Sequence, residues 1–171
     1  MFETRYDSPL GIIVITSDGE HITGLSFDDD HHTEIPSTTD VPVIASAIEW
    51  LNDYFKGKKP GGIPPLRTSG TPFQERVWHM LSEIPYGTTV TYGSIAKYIS
   101  EKDNRKMSAQ AVGNAVGNNP IAIMIPCHRV IGSDGKLTGY AAGIWRKRDL
   151  LSIEGISMVD GHHACARRVL I

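Results

Sequence analysis

Pro126, Cys127, His128 and Arg129 interrupt the apolar run IAIMIPCHRVI at 121–131. A thiol, an imidazole and a guanidinium need partners that a wholly apolar strand does not supply, and proline removes a ladder donor. A free cysteine is only about 3% thiolate at pH 7, so a nucleophilic one needs a base, a cation or a helix N-terminus beside it. His128 and Arg129 are such groups. On a regular strand, adjacent side chains point to opposite faces, so Cys127 and His128 converge only if Pro126 ends the strand in a turn. The bland alternative is an inert buried thiol, which gains nothing from these neighbours. Cys127 and Cys165 are the only cysteines. They are too few for a disulfide framework and badly spaced for zinc, although one bridge between them stays open. No metal is expected, and His31-His32 and His162-His163 read as solvated loop residues.

The elements around this run follow from its neighbours. Thr71-Pro72-Phe73-Gln74 combines an N-cap, a proline at the first helical position and a capping-box glutamine. Phe73, Val77, Leu81 and Ile84 form the apolar face of that helix, which Pro85-Tyr86-Gly87 ends. A second helix starts at Thr91 and a third at Ser108, running AQAVGNAVGN to Asn119-Pro120. Three short helices followed by strands predict a winged helix-turn-helix. The third is nearly free of bulky side chains, which fits either close packing on a neighbouring helix or a recognition helix pressed onto nucleic acid. Residues 121–125 are expected as a strand. Val130-Ile131, a turn at 132–135 and Lys136 to Tyr140 predict a hairpin, then Arg146 to Ile153 a last helix.

Upstream, Phe2 to Phe27 reads as an antiparallel meander, residues 28–41 as a solvated loop, and Ile44, Ile48, Leu51 and Phe55 as one helix face. KGKKPGGIPPLRTSG reads as an interdomain connection. The 171 residues, 40% hydrophobic, allow one large core or two small ones. The expected class is mixed α/β (α+β) in two domains, 1–66 and 67–171. Residues 1–66 hold 4 Lys/Arg against 11 Asp/Glu and residues 67–171 hold 13 against 8, within a net charge of −2. An acidic domain followed by one that tolerates a polyanion fits this asymmetry. No stretch reaches the roughly 20 apolar residues of a membrane span, and Met1 opens on no signal-like segment. The expectation is therefore an intracellular chain without membrane contact.

Pro126-Cys127-His128-Arg129-Val130 resembles the active-site signature of the O6-alkylguanine-DNA alkyltransferases, the methylated-DNA–protein-cysteine methyltransferases. TPFQERVWHMLSEIPYGTTVTYGSIA, AVGNAVGNNPIAIMIPCHRVIG and LTGYAAGIWRKRDLLSIEG are similar to successive blocks of that family's C-terminal domain, across about residues 70–155. SPLGIIVITSDGEHITGLSF more loosely resembles its ribonuclease-H-like N-terminal domain.

The resemblance implies a single-turnover transfer of an alkyl group from O6 of guanine to Cys127, without cofactor. Glu154 would orient His128, which takes the thiol proton through a water. Tyr92 would help rotate the nucleotide and donate toward guanine N3. The carbonyls of Cys127 and Val130 would accept from the exocyclic amine, with Tyr140 and Ala141 near O6. Asn119 matches a hinge asparagine, and Ser108, Gln110, Gly113, Arg129 and Ala142 complete the DNA- and base-binding set. The partner would be double-stranded DNA bound through its minor groove, the damaged base flipped, by a monomer in the cytoplasm at the nucleoid, or in a nucleus. O4-alkylthymine stays open as a second substrate. Gln110 replaces the arginine finger of some relatives, and Ala142 stands where glycine is common. Lys97 to Met107 is longer than in some relatives, and their zinc-binding N-terminal cysteines are missing. A non-enzymatic lesion sensor on the same scaffold is the main alternative, and Cys127 argues against it. A transcription regulator would need a sensor domain that these residues do not show.

Overall fold

The computed structural model describes residues 1–29, 40–159 and 162–163. His31, His32 and Cys165 lie outside the described residues. The chain forms two compact units, one of Met1–Ser69 with Pro120–Met124 and one of Gly70–Asn119 with Ile125–Ile171.

In the first unit β1 (Phe2–Ser8), β2 (Gly11–Ser17) and β3 (Ile22–Phe27) form an antiparallel sheet in sequence order. Ile13 and Ile15, two apart on β2, point to the same face and are fully buried with Ile22 and Leu25. Helix α1 (Pro42–Phe55) brings Ile44, Ala47, Leu51 and Tyr54 into this unit's core. Each large apolar side chain buried there contributes about 1.5–3 kcal/mol. Residues 120–124 return to β3: Leu25 N–H donates to the Pro120 carbonyl at 3.0 Å and Ala122 N–H to the Leu25 carbonyl at 2.9 Å.

That pairing corrects the expected strand over 121–125, which is a single β-bridge at Ile121 followed by turns. Ile123 sits at φ 68°, and Met124 N–H donates across it to the Ala122 carbonyl at 2.8 Å. A γ-turn with positive φ at a β-branched residue is rare and strained. Burial of Ile121 and Ile123, at 0% and 1% exposure, holds it in place.

In the second unit come α2 (Pro72–Ser82), β4 (Val90–Thr91), α3 (Tyr92–Asp103), α4 (Ala109–Gly117), a one-turn 3₁₀ helix at Cys127–Arg129, β5 (Val130–Ile131) and α5 (Ile144–Ile153). Thr71 and Gln74 close a capping box on α2, and Thr91 and Ser94 close another on α3. Ser108 caps α4. Buried Trp78 of α2 donates from Nε1 to the Ala115 carbonyl of α4 at 2.8 Å, tying these two helices together. Of the expected hairpin over 130–140 only the turn forms: Gly132 N–H donates to the Lys136 carbonyl at 2.9 Å and Lys136 is a lone bridge residue, while β5 itself pairs in parallel with β4 and Gly139, at φ 56°, turns the following chain. Met158–Val159 (β6) and His162–His163 (β7) form a short antiparallel pair, so the two histidines lie in a strand rather than a loop. Among the described residues no helix is long and apolar enough to cross a membrane.

Candidate active site

Cys127 opens the 3₁₀ turn. Pro126, at φ −81° and ψ 64°, forms an inverse γ-turn in which Cys127 N–H donates to the Ile125 carbonyl at 2.8 Å. Pro126 thus supplies the turn that the sequence required before Cys127, although the run ahead of it is itself turned rather than extended. Cys127 is 7% exposed. Burial pushes its thiol above the ordinary value, against the pull of the Asn119 amide and the Lys147 charge. A thiol in this state is protonated at rest, so its chemistry calls for a base and a nearby cation.

The candidate base is the next residue in the chain. His128 is fully buried and its Nε2 lies 2.6 Å from Glu154 Oε1. Glu154, the residue that caps the C-terminus of α5, takes four hydrogen bonds. Oε1 also accepts from Arg129 Nη2 at 3.0 Å, and Oε2 accepts from Arg129 Nε and from Gly87 N–H, both at 2.9 Å. Burial alone would raise this carboxyl, but His128 and the forked Arg129 contact outweigh it and hold it at about 2. Burial pushes the His128 imidazole below its ordinary value, against the attraction of Glu154. The ring is therefore neutral at pH 7. Because an ionised carboxylate only accepts, Nε2 carries the proton and Nδ1 the basic lone pair.

Arg129 is corrected by this geometry. Sequence placed it among the base-binding residues, yet it is 7% exposed, donates from Nη1 to the Ile84 carbonyl at 2.5 Å and lies over the Tyr86 ring at 5.7 Å. Its donors hold Glu154 instead.

On another side of the thiol stands a group that sequence reasoning missed. Lys147, on α5, is fully buried and donates from Nζ to the Thr138 carbonyl at 2.8 Å and to Tyr92 Oη at 3.4 Å. Burial lowers it to about 8, partly countered by the charge of Cys127. Tyr92, the first residue of α3, donates to the Thr138 carbonyl at 3.1 Å. Burial, then the Cys127 charge, raise its hydroxyl to about 12. The Tyr140 hydroxyl is buried too. Burial and then Cys127 push it well above its ordinary value. Cys127 is thus ringed by two phenols, one ammonium and the Asn119 amide, whose Nδ2 also donates to the Ile125 carbonyl at 2.7 Å.

Beside Tyr92 lies a groove of about 430 Å³ lined by Ala109, Gln110, Gly113, Asn114, Thr138 and Gly139. Gln110 is exposed, and Ser108 spends its hydroxyl oxygen on Ala111 N–H at 3.1 Å. A Cβ at Gly113 would meet the Tyr92 ring at 3.8 Å, so this glycine keeps the groove shallow without being sterically obligatory. Val130 is fully buried, and its N–H already donates to the Cys127 carbonyl. Ala141 is exposed and Ala142 half-buried on the loop before α5, where the Ala142 carbonyl accepts from Arg146 Nη1 at 3.0 Å.

A buried thiol with a histidine–carboxylate pair, set in a unit whose helices α2, α3 and α4 follow one another and whose α4 borders an open groove, defines a nucleophilic-cysteine protein built on a DNA-binding fold. The comparisons agree with that class. The model of the 6-O-methylguanine DNA methyltransferase DNA binding domain matches residues 72–156, and that of the family's ribonuclease-like domain matches residues 1–60. The methylated-DNA–protein-cysteine methyltransferase of Haemophilus influenzae is 40% identical over 165 residues, covering 94% of this chain and 89% of its own. That of Mycobacterium bovis is 45% identical over 152 residues, 86% of this chain and 88% of its own. A crystal structure of Mycobacterium tuberculosis OGT in complex with DNA superposes with a TM-score of 0.77 at 41% identity, over 90% of this chain and 92% of that one. The chain belongs to the methylated-DNA–protein-cysteine methyltransferase family.

Proposed function

We propose that the protein repairs DNA by moving the alkyl group from O6 of guanine onto Cys127, once per molecule. The observation that carries this reading is the orientation of His128: Glu154, ionised and saturated by four donors, fixes the Nε2–H tautomer and leaves Nδ1 as a base. His128 takes the Cys127 proton through a water. The thiolate sulfur attacks the alkyl carbon, an S–C bond forms as the C–O6 bond breaks, and the electron pair leaves on guanine. Tyr92 donates toward N3 of the departing base, and Lys147 steadies both the thiolate and the Tyr92 oxygen. No cofactor enters the balance.

The substrate is duplex DNA carrying O6-alkylguanine, bound through its minor groove by a monomer. Two features support this: the small residues of α4, which leave it with few bulky side chains, and the DNA complex of the Mycobacterium tuberculosis relative. Rotating the base out costs a few kcal/mol, least for a weakened pair. Gln110 fills the gap, Asn119 ties α4 to the active-site turn, and Ser108 and Gly113 lie along the strand. The carbonyls of Cys127 and Val130 read the exocyclic amine, with Tyr140, Ala141 and Ala142 around O6. The protein acts where the chromosome is, in the cytoplasm at the nucleoid or in a nucleus. Digesting the duplex after reaction tests the proposal: guanine should replace O6-methylguanine in an amount equal to the protein added. Many turnovers per protein, or unchanged lesion, would refute it.

A further inference from the structure

Helix α4 carries no charge along its nine residues, AQAVGNAVG, and on the loop leading to Thr138 the Lys136 ammonium is occupied by Asp134 at 3.2 Å. Attraction for a polyanion must therefore come from elements that flank the groove. The turn between α3 and α4 has the needed character. Asn104 closes α3 in the left-handed region at φ 47° and ψ 39°. Arg105 N–H then donates to the Ser100 carbonyl at 3.2 Å and Met107 N–H to Ser100 Oγ at 2.7 Å. Arg105 and Lys106, both exposed, are thus displayed on a turn fastened to α3 on either side of them.

The acids nearest in sequence are engaged elsewhere. Asp103 takes Arg76 through both carboxylate oxygens at 2.7 Å, and Glu101 faces Lys97 at 3.9 Å. Arg105 and Lys106 have no carboxylate partner among the described residues, while Lys102 lies over the Tyr98 ring at 5.6 Å. Clustered cations repel one another, and a fold of net charge −2 has acids enough to disperse them. Their concentration beside α4 gains nothing for the fold itself and favours an incoming polyanion.

We infer that Arg105 and Lys106 grip backbone phosphates of duplex DNA next to α4, supplying the charge that the helix and Gln110 lack. The inference rests on the DNA-repair reading, but its test uses no alkyl transfer. Binding of an unmodified fluorescent duplex is titrated between about 50 and 200 mM salt. The Arg105→Gln/Lys106→Gln double variant should flatten the plot of log K against log salt by about 1.8, about 0.9 for each lost phosphate contact. The charge-keeping Arg105→Lys/Lys106→Arg variant should retain the wild-type slope, and so should Lys97→Gln. An unmoved slope in the double neutral variant, an equal loss in Lys97→Gln, or salt-insensitive binding by the wild type would overturn the inference. If the slopes behave as expected but the wild type leaves O6-methylguanine untouched, the repair reading fails alone. If it repairs and the slope does not move, this one does.

Discussion

Replacing Glu154 by Gln removes one charge from a cluster whose two side-chain partners, His128 and Arg129, are buried, so its cost can be worked out in advance. With the carboxyl at about 2 in the fold against its ordinary 4.5, linkage at about 1.4 kcal/mol per pH unit assigns it about 3 kcal/mol of stability at pH 7. Breaking a buried ion pair by deleting one partner costs about 3–5 kcal/mol, which agrees, since Arg129 would be left charged at 7% exposure. The sign follows from the lowered carboxyl: its stabilisation is complete above about pH 4.5 and is lost as pH falls toward 2. Urea denaturation of both proteins should show a gap of about 3 kcal/mol at pH 7, narrowing by about 1 kcal/mol at pH 4 and about 2 kcal/mol at pH 3. A gap that stays constant with pH would refute the charge argument. Glu154→Gln should also slow transfer by about 10²-fold or more through loss of an oriented base. Binding to unmodified duplex should change little, and equal losses in rate and binding would remove Glu154 from the relay.

The other predictions concern the remaining sides of the thiol and groove. Lys147→Met should raise the thiol pKa and cut the single-turnover rate at pH 7 about tenfold for each pKa unit gained. The wild-type rate should carry a component that declines through about pH 8 as Lys147 loses its proton, and the variant's pH–rate profile should lack it. Gln110→Arg should tighten duplex binding and steepen its salt dependence by about 0.9, measured by the same titration. Ala142→Gly should speed transfer from O6-benzylguanine relative to O6-methylguanine by about tenfold, since one methyl in a pocket is worth about 1–3 kcal/mol. Equal acceleration of both substrates would show that Ala142 does not limit alkyl size.

Local signals in the sequence were decisive where three residues suffice to make a structure. Thr71 with Gln74, Thr91 with its helix and Ser108 with its helix each announce a helix start, and each caps as expected. The strand over 121–125 failed because apolar composition does not encode φ: Ile123 turns left-handed, and prolines bound the run at 120 and 126. Arg129 was misplaced because its carboxylate partner lies 25 residues away, beyond any spacing rule. Gly87 was read only as a helix stop, and nothing local marks its amide as a donor to Glu154. Lys147 did carry a signal. It falls at helical spacing with Leu150, Leu151 and Glu154, so a 3.6-residue period places it on the buried stripe of α5. A lysine on such a stripe needs a reason to be there, and the thiol supplies one.

The central claim is that Cys127 accepts the alkyl group. Incubation with a duplex containing O6-methylguanine, followed by proteolysis and mass spectrometry, reads it directly. The peptide containing Cys127 should gain the mass of one methyl in place of one hydrogen, in proportion to lesion consumed. Methyl on Cys165, or lesion loss with Cys127 unmodified, would contradict the account.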